Sequence, residues 1–274
     1  MEFSEQAEGY SRRLSGIYSK EQGEKRMIYI GHLLRDEEMK ELVEELQVGV
    51  ESIEFSISEN LDHLSEHIKT YRKRLQFIGA KDLTLHGPFL DLNPVAFDSR
   101  VRRVTMERFI QCYEAAQELG AKKIVYHTCY HPGIYFLIGW AERMEEFFHE
   151  FLADRKDISI VLENVFDREW EPILEVKQRL PEPNFSLCLD IGHAHCMSPH
   201  PVEEWAQKLA GEITHLHIHD NHGERDEHLG LGKGTIPVQE VLKNFQGRED
   251  CTYTIECNTK EDVRMSCRML REIL

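Results

Sequence analysis

The chain has 274 residues, of which 41% are hydrophobic and 30% charged, with only 17 Gly and 9 Pro; this excludes a disordered, collagenous or low-complexity chain and leaves enough apolar material for one large core. The 33 Lys and Arg against 49 Asp and Glu give a net charge of −16, a field that repels phosphate backbones over most of the surface. No apolar run approaches the ~20 residues of a membrane helix, and the start, Met1 to Glu5, has no basic segment leading into an apolar one, so an unexported cytoplasmic protein with no membrane partner is expected.

Residues 1–26 are polar and irregular and read as an N-terminal extension. From there short β-branched runs alternate with amphipathic stretches to the C-terminus. The expected strands are 27–33, 50–55, 83–86, 123–128, 158–163, 185–190, 213–219 and 252–257. Between them Leu61, Leu64, Ile68, Tyr71, Leu75 and Ile78 form one helical stripe, Trp140, Met144, Phe147 and Phe151 a second, and Val263, Cys267, Leu270 and Leu274 a last one. Lys69, Arg72, Lys73 and Arg74 read as a solvated helix face. Eight alternations without a polar linker predict a single (β/α)8 TIM barrel over 27–274, class α/β.

The seven cysteines (Cys112, Cys129, Cys188, Cys196, Cys251, Cys257 and Cys267) are scattered and never spaced as a C-x-x-C pair, so they read as small buried hydrophobes in a reducing compartment. The 15 histidines are more telling, since they crowd between His193 and His228. In such a barrel the active site is built at the C-terminal strand ends. Those ends here carry His86, His127, Glu163, Asp190 with His193, the His215-Leu-His217-Ile-His219-Asp220 run, and Glu256. A lone Glu or His closing a strand is an ordinary hydrogen-bonded cap. Glu163, Asp190 and Glu256 converging near one axis are different, because clustered buried carboxylates are costly without a cation. A divalent metal resolves the cost, and imidazole with carboxylate suits Zn²⁺, Mn²⁺, Co²⁺ or Fe²⁺. Alternation puts His215, His217 and His219 on one face; His217 is expected at ligand height, His215 deeper in the barrel and His219 at the mouth. After that strand a polar, Gly-rich loop to Gly234 carries Asp226-x-His228 back over the mouth.

The segments His86-Gly-Pro-Phe, Glu163-Asn-Val-Phe, Leu189-Asp-Ile-Gly-His193, His217-Ile-His-Asp-Asn, Asp226-Glu-His-Leu-Gly-Leu-Gly-Lys-Gly and Ile255-Glu256 together resemble the xylose isomerase-like TIM barrel superfamily. That group holds sugar and sugar-phosphate isomerases and epimerases alongside endonuclease IV-type AP endonucleases. The epimerase side implies one metal held by Glu163, Asp190, His217 and Glu256. The nuclease side implies three zinc ions, with His86, His127 and Glu163 on one, Glu163 bridging to Asp190, His217 and Glu256 on the second, and His193, Asp226 and His228 on the third. Gly31-His32-Leu33-Leu34 departs from the nuclease opening Gly-x-His-Val-Ser, and only Arg225 and Lys233 supply positive charge near the loop. The resemblance therefore implies, first, a sugar isomerase or epimerase. In it Glu163 and Glu256 move the proton, Asp190 and His217 serve as ligands, and His193 and Arg225 contact a small sugar substrate. A zinc phosphodiesterase acting on abasic DNA is the alternative, and a non-catalytic sugar- or metal-binding barrel the third reading. One to three ions are expected; substrate identity and oligomeric state are beyond the sequence.

Overall fold

A computed structural model describes residues 28–274; the extension 1–26 expected from the sequence, and Met27 of the first expected strand, lie outside the described residues. Eight parallel strands close into one barrel in sequence order: β1 (Ile28–Gly31), β2 (Gly49–Ser52), β3 (Leu83–His86), β4 (Lys123–His127), β5 (Ser159–Glu163), β6 (Phe185–Asp190), β7 (Ile213–Ile218) and β8 (Thr252–Ile255). The expected barrel is thus the observed one. Helices cover the outside: α1 (Asp36–Leu46), α2 (Ser58–Asp62), α3 (Leu64–Ile78), α4 (Ser99–Leu119), α5 (Trp140–Leu152), α6 (Glu171–Arg179), α7 (Ile191–Met197), α8 (Val202–Leu209), α9 (Val238–Leu242) and α10 (Lys260–Ile273). None is long and apolar enough to cross a membrane.

Strands buried on both faces need apolar residues throughout, which is why they read as β-branched runs. Their outer faces meet the helix stripes: Ile68, Tyr71, Leu75 and Ile78 of α3 and Trp140, Met144, Phe147 and Phe151 of α5 are buried. Inside the barrel Val125, Val161 and Cys188 form a separate packed layer. No disulfide forms, and Cys129 and Cys196 are only partly buried.

Five strands end short of expectation, the first at Gly31 instead of residue 33 and the fourth at His127 instead of residue 128. The second strand was expected over 50–55 but stops at Ser52, because Glu54–Ser56 turns into a 3₁₀ helix that carries the chain into α2. β7 ends at Ile218 and β8 at Ile255, so His219 and Glu256 sit just above the ladder, although Glu256 N–H still donates to Ile218 O at 3.0 Å. The basic face of α3 is also more than solvated: Arg74 is half-buried, with its guanidinium on Asp36 (2.9 Å) and Glu54 (2.7 Å). His32 is likewise structural here, bonded to Tyr71 Oη at 2.8 Å and Asp36 at 3.0 Å.

Candidate metal centre

Register aligns the polar strand ends. His127 pairs across the ladder with Glu163, and Asp190 with His217, so neighbouring strands present these side chains at one height. At the centre His217 Nδ1 lies 3.0 Å from Glu163 Oε1, 3.5 Å from Glu256 Oε1 and 3.8 Å from Asp190 Oδ2. The four residues expected to share a metal are therefore gathered around one point. Donors bound to a single small ion at bonds of about 2.0–2.2 Å stand ~3.3 Å apart in a tetrahedron, so these spacings fit such a donor set.

Glu163 reaches two ways. Its Oε2 is 3.3 Å from His127 Nε2 and 3.5 Å from His86 Nε2, and those two nitrogens are 3.0 Å apart. His86 Nδ1 donates to Gly87 O (3.0 Å), which in the neutral ring leaves the Nε2 lone pair facing the carboxylate. Glu163 Oε2 is fully buried and neither imidazole meets it with hydrogen-bond geometry, an orphan that a cation among the three would satisfy.

The third group repeats the device. His193 Nδ1 donates to Asn164 O (3.1 Å) and His228 Nδ1 to Glu256 O (2.9 Å), turning both Nε2 atoms toward Asp226 Oδ2 at 3.4 and 2.9 Å. Asp226 Oδ1 is another buried oxygen without a hydrogen-bond partner. One side chain, Asp220, gathers four backbone N–H groups of the loop that carries Asp226 and His228. Asp220 Oδ1 accepts from the N–H groups of Asn221 (2.9 Å) and Ile236 (3.1 Å), and Oδ2 from Gly232 (2.9 Å) and Gly234 (3.0 Å). A Cβ at residue 234 would sit 2.3 Å from Asn221 O, so this close approach requires glycine.

Two residues enter the centre in ways the sequence reading did not foresee. Glu51 of β2 is buried beneath His217, with Oε1 2.9 Å from His217 Nε2 and Oε2 accepting from Thr84 (2.8 Å) and Thr254 (2.9 Å) and lying 3.1 Å from His215 Nε2. The Glu51–His217 approach is close but off the hydrogen-bond axis, an ion-pair contact. His219, expected at the mouth, is fully buried, with Nε2 3.1 Å from each Asp190 oxygen. Gly192 makes this room, since a Cβ there would fall 1.9 Å from His219 Cε1. His215 lies deeper, as expected, bonded to Thr252 Oγ1 at 2.6 Å. Arg225 is not brought to the centre: its side chain is 81% exposed and its ion pair is with Glu227 at 3.4 Å.

Electrostatics match the geometry. Burial pushes the Glu163 carboxyl up, but the charges of His217 and His127 overcome it and hold it well below the usual range. Burial likewise opposes ionisation of Glu51, and His217 and His215 reverse the effect. For Asp226 burial is overcome by hydrogen bonds from His193 and His228, and its carboxyl is lowered. Conversely, burial would depress His193, His217 and His228, yet Cys188 and then Glu163 raise His217, and adjoining carboxylates raise the other two, His228 to about 9. His127 goes the other way, down to about 4, because burial outweighs Glu163. Protons and a divalent cation thus compete for the same lone pairs.

Comparison with known proteins places this chain in a family. Over 235 residues the chain is 31% identical to an uncharacterised protein of Methanocaldococcus jannaschii, covering 80% of this chain and 78% of that one. It is 26% identical over 194 residues to a probable endonuclease 4 of Mycobacterium leprae, covering 65% and 75%. Among solved structures, a D-tagatose 3-epimerase-like protein superposes with a TM-score of 0.74 at 26% identity, over 90% of this chain and 96% of that one. The pattern of the xylose isomerase-like TIM barrels runs through residues 42–273, nearly the whole described barrel, and the chain belongs to that family.

Proposed function

We propose that the chain is a metal-dependent isomerase or epimerase of a small sugar, keto-sugar or sugar phosphate. The observation that carries this reading is the ring of Glu163, Asp190 and Glu256 around His217 Nδ1 at the barrel mouth. These four would hold a divalent ion, Zn²⁺ or Mn²⁺ by donor chemistry, with Co²⁺ and Fe²⁺ sharing the same preferences. When bound, the ion supplies Lewis-acid stabilisation for negative charge on a carbonyl oxygen. The chain supplies the proton chemistry. Glu256, 9% exposed at the rim, and Glu163 opposite it would take and return the proton of the carbon beside the carbonyl through an enediolate, the carboxylate of one accepting it while the acid form of the other, protonated from solvent, delivers one to the other face. His193, anchored on Asn164 O, presents its Nε2 edge to substrate oxygens.

The test is solvent-hydrogen exchange. With metal-loaded protein in D₂O and a panel of keto-sugars and keto-sugar phosphates, the carbon beside the carbonyl gains deuterium. Glu256→Gln slows that gain by about 10²-fold or more while thermal unfolding stays near wild type. Exchange by the variant at the wild-type rate contradicts the assignment.

A second reading has its own support. His86 and His127 on the far oxygen of Glu163, and the His193, Asp226 and His228 group, are more donors than one-ion proton transfer requires. They favour a zinc phosphodiesterase acting on abasic DNA, in which Glu163 would offer one carboxylate oxygen beside His217 and the other beside His86 and His127. Against it stands the net charge of −16 and an Arg225 that leaves the mouth. Zinc-dependent nicking of an abasic duplex, absent from an intact one, would establish this second reading.

A further inference from the structure

We propose that a cleft flanking His127 is a subsite for a flat apolar group carried by the substrate, so that the substrate is a sugar derivative with an aryl or comparable substituent. This rests on the sugar reading above and narrows its substrate class.

The cleft is formed by the loops that follow β3, β4 and β5 and has a volume of about 300 Å³. An apolar cavity of about half that size suffices for benzene, so a substituted ring fits. It is continuous with the metal centre, because His127 belongs to both: Nε2 faces Glu163, while its ring stacks on Phe89 at 4.4 Å and 30°. Tyr130 and Val165 continue the wall, and Leu90 and Phe166 form its lip, 61% and 43% exposed. Apolar side chains of this size beside a charged pocket are costly in water and are covered when an apolar ligand group enters.

Asp91 and His131 are the polar members of the wall beyond His127. Cys129 is a half-buried wall residue whose thiol lies 3.6 Å from His127 O. Two wall residues, Asp91 and Cys129, hold left-handed backbone at φ 62° and 51°, although neither is glycine. Strain of this kind persists where the surrounding structure over-determines it, and it concentrates at ligand sites. The polar groups that would orient a sugar lie on the other side of His127, and the cleft offers chiefly hydrophobic contact, which divides the ligand into a polar ring over the metal centre and an apolar ring beside it.

The experiment compares methyl and phenyl β-D-glycosides of glucose, galactose and xylose, with affinity to the zinc-loaded full-length protein measured by saturation-transfer NMR and calorimetry. In at least one pair the phenyl member binds about tenfold tighter or better. In Phe166→Ser and in Leu90→Ser, both at exposed positions where folding is checked by circular dichroism, that ratio falls toward unity. Phenyl members that bind no tighter than methyl members, or not at all, overturn the proposal, as does a preference that both variants keep in full. Binding is read without turnover, so the two readings fail separately. Deuterium exchange on free keto-sugars without an aryl preference leaves the reaction and removes the subsite; an aryl preference lost in the variants, without any exchange, does the reverse.

Discussion

Glu51 acts on the centre through His217 and touches no substrate. By holding Nε2 from below, it fixes the ring with Nδ1 toward Glu163, Asp190 and Glu256, an outer contact of the kind that orients metal-ligating imidazoles. Glu51→Gln is expected to weaken Zn²⁺ binding about 10–100-fold in competition with a chelating dye. A variant with a lower Tm but unchanged zinc affinity would mark the residue as merely structural. Asp167 offers a test of burial outside the ligand set. Its carboxylate accepts from Thr128 Oγ1 (2.7 Å) and Val165 N–H (2.9 Å), yet burial outweighs both bonds and raises its pKa from 3.8 to about 6. A raised folded-state value contributes stability that is complete below the unfolded value and lost as pH climbs through the folded one. Asp167→Asn keeps an acceptor without the charge. It should therefore gain stability at pH 8, by up to about 3 kcal/mol, and gain little at pH 4, as urea unfolding at the two pH values would report. An equal effect at both would contradict this account.

Among the elements, the loop from Asn221 to Ile236 depends most on a single residue. Asp220→Ala would strand four backbone N–H groups that now donate to one carboxylate, and each charge-assisted bond is worth about 1.5–3 kcal/mol before non-additivity. We expect a loss of at least about 3 kcal/mol in urea unfolding, with faster amide exchange across the loop. A loss under about 1 kcal/mol would show that the loop is held elsewhere. The same loop shows where sequence reasoning reaches and where it stops. Asp226-x-His228 was legible as a candidate ligand pair, and both side chains do turn inward; Arg225, one residue away, turns to solvent and pairs with Glu227, because a loop has no period from which side-chain direction can be read. Strands were legible as β-branched runs because parallel barrel strands are buried on both faces. Their depth was not. Glu51 lay inside the second expected strand, away from its end, and only the stagger of β2 against its neighbours brings it under His217. His219 was assigned to the right face of its strand, but its burial depends on the space left by Gly192 on α7.

For the whole molecule, the centre concentrates carboxylates in a protein already at −16, so a cation bound there would offset charge that folding brings together. Sugar chemistry, hydrolysis and the apolar subsite all presuppose this event. The most direct measurement is the divalent-metal content of the full-length chain, by inductively coupled plasma mass spectrometry, after saturation with Zn²⁺ or Mn²⁺ and removal of unbound ion without chelators. The account predicts at least one ion per chain in the wild type, and a loss of bound ion in Glu163→Ala, whose carboxylate faces His217 through one oxygen and His86 with His127 through the other. Wild-type protein that retains no more metal than Glu163→Ala would contradict it.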